Sequence, residues 1–336
     1  MVKLGVIGYG YWGPNIVRNF SGHHDCKVVA VCDKSPAALA RVAGRHPGVL
    51  VTTEVDEIVT SSEIDAVAIV TPVSYHFELA KKALENGKHV FVEKPFTATV
   101  AQAEELVELA ERKNLYIMVD HTFLFTGAVR KIKHLVDDGS LGPLYYYDST
   151  RVNLGLFQHD VNVLWDLAPH DLSIMDYLIR LEPDLVVATG GAHVNCLEDV
   201  AHLTVYFPNN VIAHINVNWL SPVKVRTTLV GGQKKMLVWN DLDPAEKVKV
   251  YDKGADIRTE EGVHKLLVSY RSGDMWAPKV EELEALQQET RYFLDCVKNS
   301  TKPFNDGEAG LRVVRILAAA EQSLRQHKEV AYSSVR

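Results

Sequence analysis

Cysteine is scarce. Of 336 residues only Cys26, Cys32, Cys196 and Cys296 are cysteine, none in a C-x-x-C pair and none at zinc-site spacing. A disulfide scaffold is thereby excluded, and a reducing cytoplasm is the expected compartment. Positive charge is also in deficit: the formal net charge is −7, which argues against nucleic acid or an anionic membrane surface as partner. No apolar run approaches the roughly 20 residues that span a bilayer. The opening residues lack a basic segment and cleavage site, so a strand rather than a leader is expected there. The 14 histidines include no H-x-x-x-H or H-E-x-x-H pattern, and no catalytic metal is expected. Repeats and low-complexity linkers are missing too.

What is present is an ample core: 47% apolar and 24% charged residues describe a globular protein, and the length suits two domains. Strand-like and helix-like segments alternate through the first 121 residues. KLGVIG (3–8), KVVAVCD (27–33), IDAVAIVTP (64–72), KHVFVEKP (88–95) and LYIMVDH (115–121) read as strands. Helical patterns at 14–20, 36–46, 75–87 and 100–114 separate them. That rhythm means βαβ units and a parallel sheet. From Thr122 the rhythm changes. After helices at 128–142 and 165–180 come runs with a period of two, such as DVAHLTVYF and VIAHINVNW, the mark of an antiparallel sheet with one face covered. Residues 254–279 read as irregular, and 280–299 and 307–327 close the chain as helices. The expected architecture is α/β: a doubly wound Rossmann domain over 1–121, then an α+β domain over 122–336 with a large, mostly antiparallel open sheet.

GYGYWG (8–13) matches G-x-G-x-x-G, directly after a strand and opening a helix, which is the context that gives the pattern meaning. Gly8 permits the tight turn, Gly10 lets backbone approach a pyrophosphate, and Gly13 lets helix and strand pack closely. Asp33 ends the second strand, where a carboxylate bonds the ribose hydroxyls and repels a 2′-phosphate. NAD is therefore expected over NADP, although Lys34 beside it is able to pair with a phosphate.

One stretch looks misplaced. WDLAPHDLSI (165–174) sets Asp166, His170 and Asp171 in an apolar run, and buried charge is costly unless paired. Together with VTPVSYHFELAKKALENGKHVFVEKP (70–95), the closing PFNDGEAGLRVV and the order of the two halves, it resembles the Gfo/Idh/MocA oxidoreductases, the family of glucose–fructose oxidoreductase and inositol dehydrogenases. The run DSTRVNLGLFQHDVNVLWDLAPHD is most similar to the glycan-biosynthesis branch that includes nucleotide-sugar dehydrogenases. The resemblance implies hydride transfer between a nicotinamide and a sugar or polyol carbon. It gives Lys94 of E-K-P a contact with substrate and nicotinamide ribose, and Asp166 and His170 contacts with the reacting hydroxyl. It also implies homodimers or homotetramers built through the C-terminal sheet.

The chemistry suits those side chains. An imidazole titrates near neutrality and serves as base. Asp166, four residues before His170, shares its helix face and is able to hold the imidazole or bond the hydroxyl. An ammonium stabilises a developing alkoxide, so Lys94 is expected to share the work. A helix starting near Asp166 would keep Pro169 in its first turn, where proline is tolerated, and would leave Asp171 a structural partner. Thr71, Pro72 and His76 are expected beside the cofactor, Glu93 on the ribose or on Lys94, and Tyr11 and Trp12, with Tyr9, as walls of the cofactor site. His121, Arg151 and Asn153 are expected to bind substrate, with Gln158, Asp160, Asn162 and Arg130 as further polar candidates. Other readings remain open: an idle NAD-binding regulator, a hydrolase or epimerase that recycles its NAD, and an inositol or other polyol as substrate.

Overall fold

In the computed structural model, which describes residues 1–155, 157–257 and 268–335, the chain divides into two units. One comprises Met1–Phe125 and Leu283–Ala318, the other Thr126–Glu282 and Ala319–Val335.

The first unit alternates as its sequence does: β1 (Val2–Ile7), α1 (Gly13–Ser21), β2 (Cys26–Cys32), α2 (Pro36–Arg45), β3 (Leu50–Thr52), α3 (Val55–Val59), β4 (Ala66–Ile69), α4 (His76–Glu85), β5 (His89–Val92), α5 (Val100–Lys113) and β6 (Ile117–Val119). The six strands are all parallel, in the order β3-β2-β1-β4-β5-β6, the doubly wound Rossmann arrangement. Every residue of β4 is buried, as strands covered on both faces must be. Local chemistry starts the helices. Ser35 and Thr99 cap α2 and α5 by accepting from Ala38 N–H and Gln102 N–H, satisfying orphan donors of the first turn.

The second unit runs α6 (Gly127–Asp137), β7 (Leu144–Leu154), α7 (Val163–Ile179), β8 (Leu185–Gly191), β9 (Val200–Tyr206), β10 (Ile212–Asn218), β11 (Leu220–Gly232), β12 (Met236–Asn240), β13 (Val248–Ile257) and β14 (Val268–Trp276). The chain continues through α8 (Ala285–Asn299), α9 (Gly307–Gln326) and the short β15 (Val330–Ala331). Nine strands form one sheet, β14-β13-β12-β11-β7-β10-β9-β8-β15. Every neighbouring pair is antiparallel except β7 and β10. The period of two is visible in the burial: Ala201, Leu203 and Val205 on β9 and Ala213, Ile215 and Val217 on β10 point into the core, while His202 and His214 are exposed.

Three boundaries differ from the sequence reading. A cut after residue 121 assigns all that follows to one domain, whereas 283–318 groups with the first unit. Phe293 of α8 is the reason: it is fully buried and meets Phe20 and Phe91 edge-on, with ring centroids 6.0 and 5.6 Å apart. The stretch read as irregular, 254–279, holds the end of β13 and all of β14, whose polar edge sequence hides the alternation; its residues 258–267 lie outside the described residues. Finally, α7 begins at Val163, so Pro169 falls inside the helix rather than in its first turn. The cost is one missing N–H in the helical ladder.

Charge in the core of the second unit is paired. Arg151 on β7 and Asp171 on α7 are 5% and 2% exposed. Arg151 Nε donates to Asp171 Oδ2 at 2.6 Å and Arg151 Nη2 to Oδ1 at 3.2 Å. Ser149 Oγ adds a bond to Oδ1 at 2.7 Å. This answers half of the question raised by WDLAPHDLSI: Asp171 is the structural partner.

Two stability predictions follow from these contacts. Phe293→Ala should cost about 3–5 kcal/mol in urea unfolding, because the cavity lies where three rings meet. Arg151→Met leaves Asp171 buried and unpaired and should cost a similar ~3–5 kcal/mol. Unchanged stability with weakened substrate binding would put that guanidinium on the substrate instead.

Candidate active site

The glycine-rich turn is shaped for a ligand that approaches backbone. Gly8 has φ +101°, and a Cβ there would stand 2.2 Å from the Val70 carbonyl oxygen. A Cβ on Gly13 would stand 2.7 Å from the Gly8 carbonyl oxygen, while Gly10 faces open space. The first is a turn that only glycine adopts without strain; the second is the close approach of helix and strand. No side chain caps the start of α1, which leaves its first N–H groups to an anion. Asp33 is anchored beside this turn: Oδ2 accepts from Tyr9 N–H at 2.6 Å and Oδ1 from Ser35 N–H at 2.8 Å. Thr71 Oγ1 is buried with no partner among the described residues, and its methyl lies against the Gly8 turn. An open glycine cradle, an anchored carboxylate and an unsatisfied hydroxyl fit a dinucleotide.

The other expected cofactor residues divide. Pro72 is exposed just past β4, Tyr11 is 90% exposed, and Trp12 is the N-cap of α1 at 36% exposure. Tyr9 is fully buried. Lys34 lies over the Tyr75 ring, 4.6 Å from its centroid. His76 is fully buried rather than open to phosphate. Its Nδ1 is 2.9 Å from the Pro95 carbonyl oxygen and its Nε2 is 2.8 Å from that of Thr71. The imidazole therefore sits between the carbonyls at the ends of two strands; burial pulls its pKa below the usual value, and the neutral ring donates to one of them.

Lys94 follows β5 at the carboxyl edge of the sheet, where open α/β sheets bind ligands. The Lys94–Pro95 peptide is cis. Glu93 Oε2 accepts from Lys94 N–H at 3.1 Å. Beyond the Val92–Val119 pair, Asp120 N–H donates to the Val92 carbonyl at 2.7 Å and His121 N–H turns back to that of Val119; Glu93 meets Asp120 there, and Lys94 acts electrostatically on His121. His121 is 2% exposed, and burial pulls its pKa down to about 4; it is a neutral ring at physiological pH.

In the second unit some of the expected substrate residues gather at one end of the large sheet. Register sets Gly191 opposite Val200, Val200 opposite Asn218 and Asn218 opposite Val152, so β8, β9, β10 and β7 all meet this edge. Asn153 lies there, and α7 starts there. Asn162 caps that helix, accepting from Trp165 N–H at 3.2 Å, and its Nδ2 donates to Glu198 at 2.9 Å. Asp166 and His170 remain one turn apart on one face, both half-buried. Trp219 Nε1 donates to Asp166 Oδ2 at 3.1 Å, which fixes the carboxylate. Gln158 accepts from Asn195 through its carbonyl, Asp160 is exposed, and Arg130 is exposed on α6. Arg151 is committed to Asp171 within the core.

Sequence reasoning missed two groups at this edge. One is Trp219, whose tie to Asp166 spans residues far apart in the chain. The other is the pair of exposed His193 and fully buried Asp199, joined at 2.7 Å. Burial pushes the Asp199 carboxyl up, and hydrogen bonds from the His193 ring and the backbone of His193 and Val194 more than reverse this, leaving it below the usual range. Nothing in sequence spacing marks either contact.

Comparison with known proteins agrees with this geometry. Residues 2–121 match the family described as "Oxidoreductase family, NAD-binding Rossmann fold" (GFO_IDH_MocA), and residues 129–238 match the "GFO/IDH/MocA C-terminal domain". The uncharacterized oxidoreductase YdgJ of Escherichia coli is 30% identical over 263 residues, 73% of each chain. The UDP-N-acetylglucosamine 3-dehydrogenase of Acidithiobacillus ferrooxidans is 27% identical over 96% of each chain. Its structure superposes with a TM-score of 0.81 at 25% identity, covering 96% of this chain and 98% of that one. The inositol 2-dehydrogenase of Rhizobium meliloti is 22% identical over 98% of this chain and 99% of its own. A glycine cradle after β1, a second unit with an open nine-stranded sheet, and these matches have one reading: the chain belongs to the GFO/IDH/MocA family of NAD-binding oxidoreductases acting on CH–OH groups.

Proposed function

We propose that the chain is an NAD-dependent dehydrogenase that interconverts a secondary hydroxyl and a ketone on a sugar or nucleotide sugar, with carbon 3 as the reacting position. The observation that carries this reading is the placement of Asp166 and His170 on one face at the start of α7, with Asp166 held by the Trp219 indole. The likeness to a UDP-N-acetylglucosamine 3-dehydrogenase along nearly the whole chain supports the nucleotide sugar and the carbon.

The roles follow from the groups present. Gly8, Gly10 and Gly13 with the start of α1 hold the pyrophosphate, Thr71 lines the same site, and Asp33 favours NAD over NADP by bonding ribose hydroxyls. An NAD held there supplies a hydride acceptor. His170 takes the hydroxyl proton in oxidation and returns it in reduction. Asp166, acceptor to Trp219, orients the imidazole and stabilises its protonated form. Lys94 presents an ammonium that stabilises negative charge developing on oxygen. Asn153, His193 and His121 are the remaining polar groups proposed to meet substrate, and His121 acts as a neutral hydrogen-bonding ring. Four free cysteines suit a reducing cytoplasm. The nine-stranded sheet is the proposed homodimer or homotetramer contact; a purely monomeric sedimentation profile would remove that part.

NADH formation from a panel of nucleotide sugars, inositols and aminoglycosides tests the substrate class. His170→Ala should lower kcat by about 10²–10⁴-fold while NADH binding, followed by its fluorescence, is retained. Unchanged turnover in that variant would remove His170 from the reaction.

A further inference from the structure

The mechanism above leaves a buried acid unused. Glu289 of α8 is fully buried, and Asp120 is 2% exposed. Glu93 is half-buried, and its Oε1 is sealed. Glu93 and Glu289 each meet the Asp120 carboxyl, so three carboxyls form a chain with Asp120 at its centre. Sheet register brings the first two together, as the next residues after Val92 and Val119. Helix α8 brings the third: Phe91, two residues before Glu93, packs on Phe293, one turn from Glu289.

Donors at this cluster are few. Lys94 N–H reaches Glu93 Oε2, Thr122 Oγ donates to Asp120 Oδ1, and Asn305 Nδ2 donates to Glu289 Oε1 at 3.2 Å. Glu93 Oε1, Asp120 Oδ2 and Glu289 Oε2 are buried and receive no hydrogen bond from any donor among the described residues. Ionised carboxylates only accept, so three facing acceptors repel; a protonated carboxyl also donates. Two protons on the outer acids convert the contact into two hydrogen bonds and leave one charge on the cluster. The charged and titratable groups around it are Lys94 after β5, His121 after β6 and Arg312 on α9. Among the described residues no group of three acids, histidines or cysteines is arranged to hold a metal.

We propose that Glu93, Asp120 and Glu289 are one acid cluster sharing two protons. Burial, and then the Asp120 carboxyl itself, push the Glu93 and Glu289 acids well above their ordinary range, in keeping with neutral outer members.

Infrared difference spectroscopy tests the cluster. At neutral pH the wild-type protein should show the carbonyl stretch of buried protonated carboxylic acids, and Glu289→Gln should remove part of it. No protonated acid in the wild type, or a band that Glu289→Gln leaves whole, would overturn the inference.

Discussion

Parallel pairing of β5 with β6 governs where charge goes in the first unit. Once Val92 lies beside Val119, the residues that follow the two strands come together: acid meets acid at Glu93 and Asp120, with Lys94 and His121 close by. Edges of parallel sheets gather polar residues because the strands themselves must be apolar on both faces. Here the edge does more than collect them, because α8 covers the sheet near Phe91 and carries Glu289 against the acids. The meeting of these three acids depends on this packing.

The second unit handles charge by a different device. Arg151 and Asp171 are both desolvated, and each is tolerable only because the other is present. Their pairing holds α7 to β7, and the same helix then carries Asp166 and His170 on a different face. A core contact therefore sets the orientation of Asp166 and His170. Trp219 completes the arrangement from the end of β10: its backbone N–H bonds the Asp199 carbonyl at 2.9 Å and its indole bonds Asp166.

What sequence made legible was local. The glycine cradle, Asp33 and the alternation of both sheets are patterns in short windows, and the structure repeats them. The i, i+4 relation of Asp166 and His170 is equally local and survives even though α7 starts one turn earlier. What stayed hidden depends on partners distant in sequence. His76 reads as a first-turn histidine near phosphate until its bond to the Pro95 carbonyl is seen. Arg151 reads as a substrate arginine until Asp171 is found opposite it. Glu289 lies on a helix that sequence order assigns to the other domain, and only the packing of Phe293 on Phe20 and Phe91 brings it to the first unit.

The central claim is that these groups serve reversible oxidation of a sugar hydroxyl at carbon 3. Deuterium at that carbon of a nucleotide sugar such as UDP-N-acetylglucosamine tests it most directly. Incubated with the protein and NAD, the labelled sugar should yield the keto sugar with deuterium at the nicotinamide C4 position, visible by mass and magnetic resonance. Product formed with the label still on sugar or lost to water would contradict the account.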